Sequence, residues 1–255
     1  MTINKIEASD GFLVWHFVRV VNGEFTTGEE NLPVVPGQAL RVEGEIIPCV
    51  HGLHGSERAL DALQFAPGAG VERALLRGTI IAHGGNKHVA SERLCLWVAD
   101  ATRVLHEFML WCAEEALALV DNPDPRSVAV LATKRRWLDG DATDAELEAA
   151  CVNAYDAAVT AAATAADYDT AADYATDTAT VVADFAAADF AADHAAADAL
   201  ATAAADALAA AAVATFAAAH AATFAANGVY SATRDRQNAQ LETLLMTLAP
   251  QEHKS

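Results

Sequence analysis

Lysine is nearly missing from this chain. Only Lys5, Lys87, Lys134 and Lys254 stand beside twelve arginines and 35 acidic residues, and the formal net charge is −19. Binding to nucleic acid or to an anionic membrane surface needs a basic face, so this balance argues against both and points to protein partners or cations. Cysteine pairs are missing too: Cys49, Cys95, Cys112 and Cys151 lie far apart with no CxxC spacing. A chain of 255 residues can bury a core without staples, so a reduced, cytoplasmic setting is expected. The start, MTINKIEASDGF, lacks the basic-then-apolar pattern of a secretory signal. No GxGxxG, Walker A, GxSxG or HExxH pattern occurs, so no catalytic residue, cofactor-binding residue or cofactor is assigned.

Glycine is absent between Gly140 and Gly228, and proline between Pro125 and Pro250, while alanine dominates the interval. Alanine is the best helix former, so helix is expected throughout. Unbroken from Thr143 to Ala226 it would extend about 125 Å, so breaks are expected, the first at Thr176 to Val182 and another at Asn227-Gly228. Upstream, Val98, Ala101, Leu105, Phe108, Cys112 and Leu119 follow a 3.6-residue period and predict a helix from Val98. Asp124-Pro125 opens a second helix that closes at Gly140, and Thr143 with Glu146 forms a capping box for a third. A last helix is expected over about Ala232 to Leu248. Leu200, Leu208, Phe216 and Phe224 recur every eight residues, so they spiral around a helix and need several neighbours, in a bundle, in stacked hairpins or in a homo-oligomer. The uncharged segment Ala207 to Ala226 is long enough for a bilayer but too alanine-rich to be read as a membrane span.

The first hundred residues read differently. Phe12 to Val21, Leu40 to Ile47, Val71 to Ala82 and Arg93 to Val98 are strand candidates, with a turn at His83 to Lys87 and a short helix, ERALDALQF, ended by Pro67-Gly68. The expected fold is therefore α+β: a small module over 1–98 with a mixed or antiparallel sheet, the mixed sheet being favoured, then an all-α, alanine-rich, acidic helical region over 99–255.

Fifteen acids lie between Asp139 and Asp206, and no lysine or arginine occurs between Arg136 and Arg234. On a continuous helix Asp169, Asp173, Asp177, Asp184, Asp198 and Asp206 share a sector about 100° wide. A solvated helix face is one reading. The sharper one is a carboxylate array that imitates a phosphate backbone and occupies the basic groove of a nucleic-acid-binding protein, with these six as partner-binding residues. One other cluster is notable: Cys49, His51 and His54 bring three metal-capable side chains into six residues. The CxHxxH spacing is not a zinc pattern, and turn and core packing is the favoured reading. His16, His194 and His220 are likewise read as structural.

Two resemblances attach to these segments. Residues 98 to about 175, through Cys112, Asp124-Pro125-Arg126, Arg136-Trp137 and Gly140, resemble an immunity-protein family related to the fifth immunity group of bacterial polymorphic toxin systems. The stretch from Pro48 to Val98, through Cys49, Gly52, His54, Phe65 and Lys87, is similar to an uncharacterised domain of phage and prophage proteins, with Leu53 where that domain has an aromatic. Together they imply a non-catalytic, phage-encoded or mobile-element binding protein of immunity or anti-defence type. The alternatives are a virion assembly component with helices packed between subunits, an enzyme centred on the N-terminal module, and a halophilic protein whose charge has no partner.

Overall fold

The computed structural model describes residues 11–28, 31–118, 123–165 and 226–250. It divides into two units, Met1–Thr102 together with Leu241–Ser255, and Arg103–Gln240.

The first unit is built on six strands: β1 (Phe12–Val21), β2 (Glu24–Thr26), β3 (Ala39–Arg41), β4 (Leu53–Gly55), β5 (Gly70–His83) and β6 (Lys87–Asp100). Their order is β2-β1-β5-β6-β3, with β4 also on β6, and every pairing is antiparallel. Asn22 and Gly23, with φ of 52° and 80°, close the first hairpin in the doubly left-handed geometry that suits strand twist. β5 and β6 form a long hairpin turned by Gly84 to Asn86, and its register shifts twice, between Arg73 and Ala74 and between Arg77 and Ile80. Such bulges bend a sheet. At the second, Gly78 has φ 74°, and a Cβ there would meet Ser91 Oγ at 2.2 Å.

The bend brings the two sides of the sheet together through β4. Leu53, His54 and Gly55 pair with Ala90, Val89 and His88 of β6. The next residue, Ser56, exchanges two backbone hydrogen bonds with Trp15 of β1, at 2.7 and 3.0 Å. The backbone thus runs β1–β5–β6–β4 and back to β1, a curl closed by one short segment. Within it lie two apolar clusters, Val14, Ala74, Leu76 and Ala90 with Phe12, and Val18, Val34 and Cys95 with Phe25 and Val98. The short helix α1 (Ala59–Leu63) packs on β1 and buries Leu60 and Leu63. Its own N-cap, Arg58, supplies no side-chain cap. The Glu242 carboxylate does so instead, accepting from the Ala59 amide at 3.2 Å.

The remaining helices are α2 (Thr102–Leu117), α3 (Pro125–Leu138), α4 (Asp144–Ala165) and α5 (Ala226–Met246). Asp124 caps α3 by accepting from the Arg126 amide at 2.8 Å, with Pro125 in the first turn. The capping box at α4 is reciprocal: Thr143 N donates to Glu146 Oε2 at 2.8 Å and Glu146 N to Thr143 Oγ1 at 3.2 Å. In this unit Leu110, Ala113, Val130, Leu131, Leu147, Cys151 and Ala154 form one core.

Several expectations are corrected. The sheet is antiparallel and curled, not mixed, because successive strands return through hairpins and bulges, with no helical crossover between parallel neighbours. A separate all-α region is not what the described residues form: α5 ends in the sheet unit, where Leu241 and Leu245 are fully buried. The alternating LRVEGEII segment yields only Ala39–Arg41 as strand, with Gly44 at φ 96° interrupting it. The helix predicted from Val98 begins at Thr102, since the ladder to β5 holds β6 extended as far as Asp100. Asn227-Gly228, predicted as a helix stop, lies inside α5. The predicted break at Thr176 to Val182 lies outside the described residues, as does the segment Ala207 to Ala226 except for Ala226 itself. Among those residues no helix is long and apolar enough to cross a membrane.

The closure depends on a missing side chain. A Cβ at Gly55 would stand 2.4 Å from Val14 Cγ2. Gly55→Ala is expected to destabilise the sheet unit by about 2 kcal/mol through overpacking, and Val14→Ala in the same chain to recover much of that. Denaturant midpoints of the two single variants and the double variant measure this; strictly additive losses would show that the two side chains do not meet.

Candidate functional site

Between the two apolar clusters the curl holds charge. Glu72 and Arg93 have side chains only 1 % and 2 % exposed, with Glu72 Oε2 at 3.1 Å from Arg93 Nε. On the other side the same oxygen lies 3.1 Å from His16 Nδ1. A carboxylate only accepts, so a neutral His16 carries its proton on Nδ1 and leaves Nε2 as a lone-pair acceptor. Burial, helped by the nearby Arg93 charge, lowers the His16 pKa to about 4 and keeps the ring uncharged at neutral pH. For Glu72, burial raises the pKa, but the Arg93 charge and the His16 hydrogen bond outweigh it, so the net direction is downward. Arg93 Nη1 donates to the His54 carbonyl at 2.9 Å, while its Nη2 has no hydrogen-bond partner among the described residues. The Arg93 Nε contact is an ion pair by distance but too bent to count as a hydrogen bond.

This network backs a cleft of about 230 Å³ lined by Trp15, His16, Cys49, His54, Gly55, Ser56, Ala62, Phe65 and Lys87. Cys49 sits in the turn Ile47-Pro48-Cys49-Val50, where Val50 N donates to Ile47 O at 3.0 Å. Its φ of 63° is one that this kind of turn, with proline second, ordinarily gives to glycine. The Cys49 amide donates to His54 Nε2 at 3.4 Å, so the turn is tied through His54 to Arg93 and the buried network. Across the cleft, Lys87 Nζ donates to Cys49 Sγ at 3.1 Å and stands 4.4 Å from the Phe65 ring centroid. The surrounding surface is apolar: Phe65 is 50 % exposed and Val50 78 %. Trp15 is fixed from other sides by the Arg73 guanidinium, 4.2 Å above its ring, and by an edge contact to Trp97.

Of the three metal-capable residues singled out from the sequence, the structure brings Cys49 and His54 together at the cleft. His51 is absent from the cleft lining, and its Nε2 is 2.8 Å from the Glu43 carbonyl. Among the described residues no group of three or more histidine, cysteine, aspartate or glutamate side chains is placed to hold a metal ion. Asp169, Asp173, Asp177, Asp184, Asp198 and Asp206 lie outside the described residues. Sequence reasoning missed His16, Glu72 and Arg93. Glu72 and Arg93 each place a charge in a strand candidate beside an apolar residue, Val71 and Leu94, and that was the available signal.

No family model matches the chain, and no curated protein or solved structure matches it either. The functional reading therefore rests on the geometry and charge of the chain itself.

The half-buried His16 has a pH signature. Its folded pKa lies below its unfolded value of 6.5, so between about 4 and 6.5 the unfolded chain binds the extra proton. The stability it contributes is complete above 6.5 and is lost as pH falls towards 4, by about 3 kcal/mol. His106 in the helical unit, lowered to about 3 by burial and by Lys134, adds a loss of the same sign. Denaturant titrations at pH 7 and pH 4.5 are expected to show a smaller acid loss in His16→Gln than in the wild type. An equal loss would show that His16 is not held neutral.

Proposed function

We propose that this chain is a non-catalytic binding protein whose sheet unit holds a small anionic ligand bearing a hydrogen-bond donor. One observation carries the reading: the neutral His16 ring and the Lys87 ammonium line the same cleft, beside an apolar rim. The ligand's anionic group takes the place beside Lys87, its N–H or O–H donates to His16 Nε2, and its apolar part lies along Phe65. A ring whose pKa is about 4 is a weak proton carrier near neutrality, so it serves better as a fixed acceptor than as a general base. At about 230 Å³ the space suits a small molecule, since pockets for drug-sized ligands begin at about 300 Å³. A thermal-shift panel of amino acids, hydroxy acids and nucleoside monophosphates tests it. A binder at 100 times its Kd adds about 2.7 kcal/mol. The shift is expected to disappear in both Lys87→Met and His16→Leu; no shift with any of the three classes, or one that survives both substitutions, overturns the reading.

The charge distribution supports a second activity, an immunity or anti-defence role carried by a phage or mobile element. Fifteen acids without one lysine or arginine between Arg136 and Arg234 suit a partner with a basic nucleic-acid-binding groove. Affinity purification from the host supplies the partner, and replacing Asp169, Asp173, Asp177 and Asp184 by asparagine removes four charges at nearly constant size. Under this reading binding weakens several-fold and its salt dependence flattens; unchanged affinity rules out the phosphate-mimic role.

A further inference from the structure

We propose that Cys49 and Lys87 form a peroxide-responsive cross-link, a sulfenamide joining the two walls of the cleft. The inference stands on their contact alone and holds whether or not the cleft takes a ligand.

Three features of the pair support it. The first is selectivity by access: Cys49 is the exposed thiol, while Cys95, Cys112 and Cys151 are buried. Burial also pushes the buried thiols up, Cys95 to about 12 and Cys151 to about 11, which keeps them protonated and inert towards oxidants. Proximity is the second, since Lys87 Nζ already lies 3.1 Å from Cys49 Sγ and needs only a short approach to bond. Third, both groups are held in place. Cys49 is clamped in a turn whose ends, Ile47 and His51, exchange backbone hydrogen bonds at 2.9 and 2.8 Å. Lys87 opens β6, paired with His83, and its ammonium rests over Phe65. Loss of side-chain freedom on bonding is correspondingly small.

The chemistry balances in two steps. Cys49 Sγ attacks an oxygen of hydrogen peroxide or an alkyl hydroperoxide; the O–O bond breaks, the sulfur is oxidised to Sγ–OH, and the peroxide is reduced to water or an alcohol. The uncharged Lys87 amine then attacks that sulfur; an S–N bond forms, the S–O bond breaks, and the departing hydroxide takes a proton from nitrogen and leaves as water. No second oxidant is consumed. A small thiol reverses it: the first equivalent opens the S–N bond to a mixed disulfide and free amine, and a second restores the Cys49 thiol with release of the small disulfide. Closure replaces the ammonium and the thiol by one neutral bridge between the turn and the hairpin.

The test uses the full chain and one equivalent of hydrogen peroxide, followed by intact mass and tryptic mapping. The expected product is lighter than the reduced protein by two hydrogen atoms. Trypsin no longer cleaves after Lys87, and the peptide Val42–Arg58 is joined to Gly78–Arg93. Dithiothreitol restores both mass and cleavage. Lys87→Arg keeps the positive charge without a nucleophilic amine, so in that variant Cys49 accumulates as a sulfenic acid trapped by dimedone, with no joined peptides. Dimedone trapping at Cys49 to the same extent in wild type and Lys87→Arg overturns the proposal, as does over-oxidation of wild-type Cys49 with normal cleavage at Lys87. Neither measurement uses ligand binding, so its failure is separate from failure of the cleft reading.

Discussion

A carboxylate with 1 % exposure inside a sheet needs opposite charge and donors around it, and the sheet unit is arranged to supply them. The Glu72 oxygen that meets Arg93 also meets His16, and Arg93 reaches on to the His54 carbonyl. Those contacts span β1, β5, β6 and β4, the four segments that form the curl. Breaking such a pair by removing one partner costs about 3–5 kcal/mol, because the remaining charge is left buried. Curl and ion pair therefore require each other: the bulged hairpin makes an interior small enough to desolvate Glu72, and the charge network fixes which strands face across it.

The same network determines the character of the cleft. His16 owes its uncharged ring to burial and to Arg93, and its acceptor nitrogen to the Glu72 carboxylate that holds Nδ1–H. The Cys49 turn hangs from His54, whose carbonyl is held by Arg93. One buried guanidinium thus reinforces the effect of burial on the His16 wall and anchors the loop of another. Lys87 and Phe65 are independent of it, arriving from the hairpin end and from the residues after α1.

How much of this was legible depended on range. Local signals served well: Asp124-Pro125 and the Thr143–Glu146 box form through contacts a few residues apart, and the β-branched run at Phe12 to Val21 showed a strand, though not its β5 partner. Long-range pairing was not legible. The 3.6-residue pattern at Val98 gave way because the β5 ladder extends to Asp100, and the strand pattern at Leu40 to Ile47 gave way because only Leu40 and Arg41 of it enter the β6 ladder. For the site, Cys49, His54, Phe65 and Lys87 were visible as residue types in a resemblance. Their convergence with His16 needs the Ser56–Trp15 closure, between residues more than forty positions apart that share no motif.

The Glu242 cap on α1 joins residues 183 positions apart. Everything from Arg103 to Gln240 must leave the ribosome before that carboxylate and the buried Leu241 and Leu245 exist to join the sheet. At synthesis rates of about 5–20 residues per second this is a delay of roughly seven to thirty seconds, during which the curled sheet waits with its last helical turn untranslated. The unit made first is thus the last to be completed, and a chain truncated anywhere in its alanine-rich middle leaves the synthesis machinery with that apolar seat still empty.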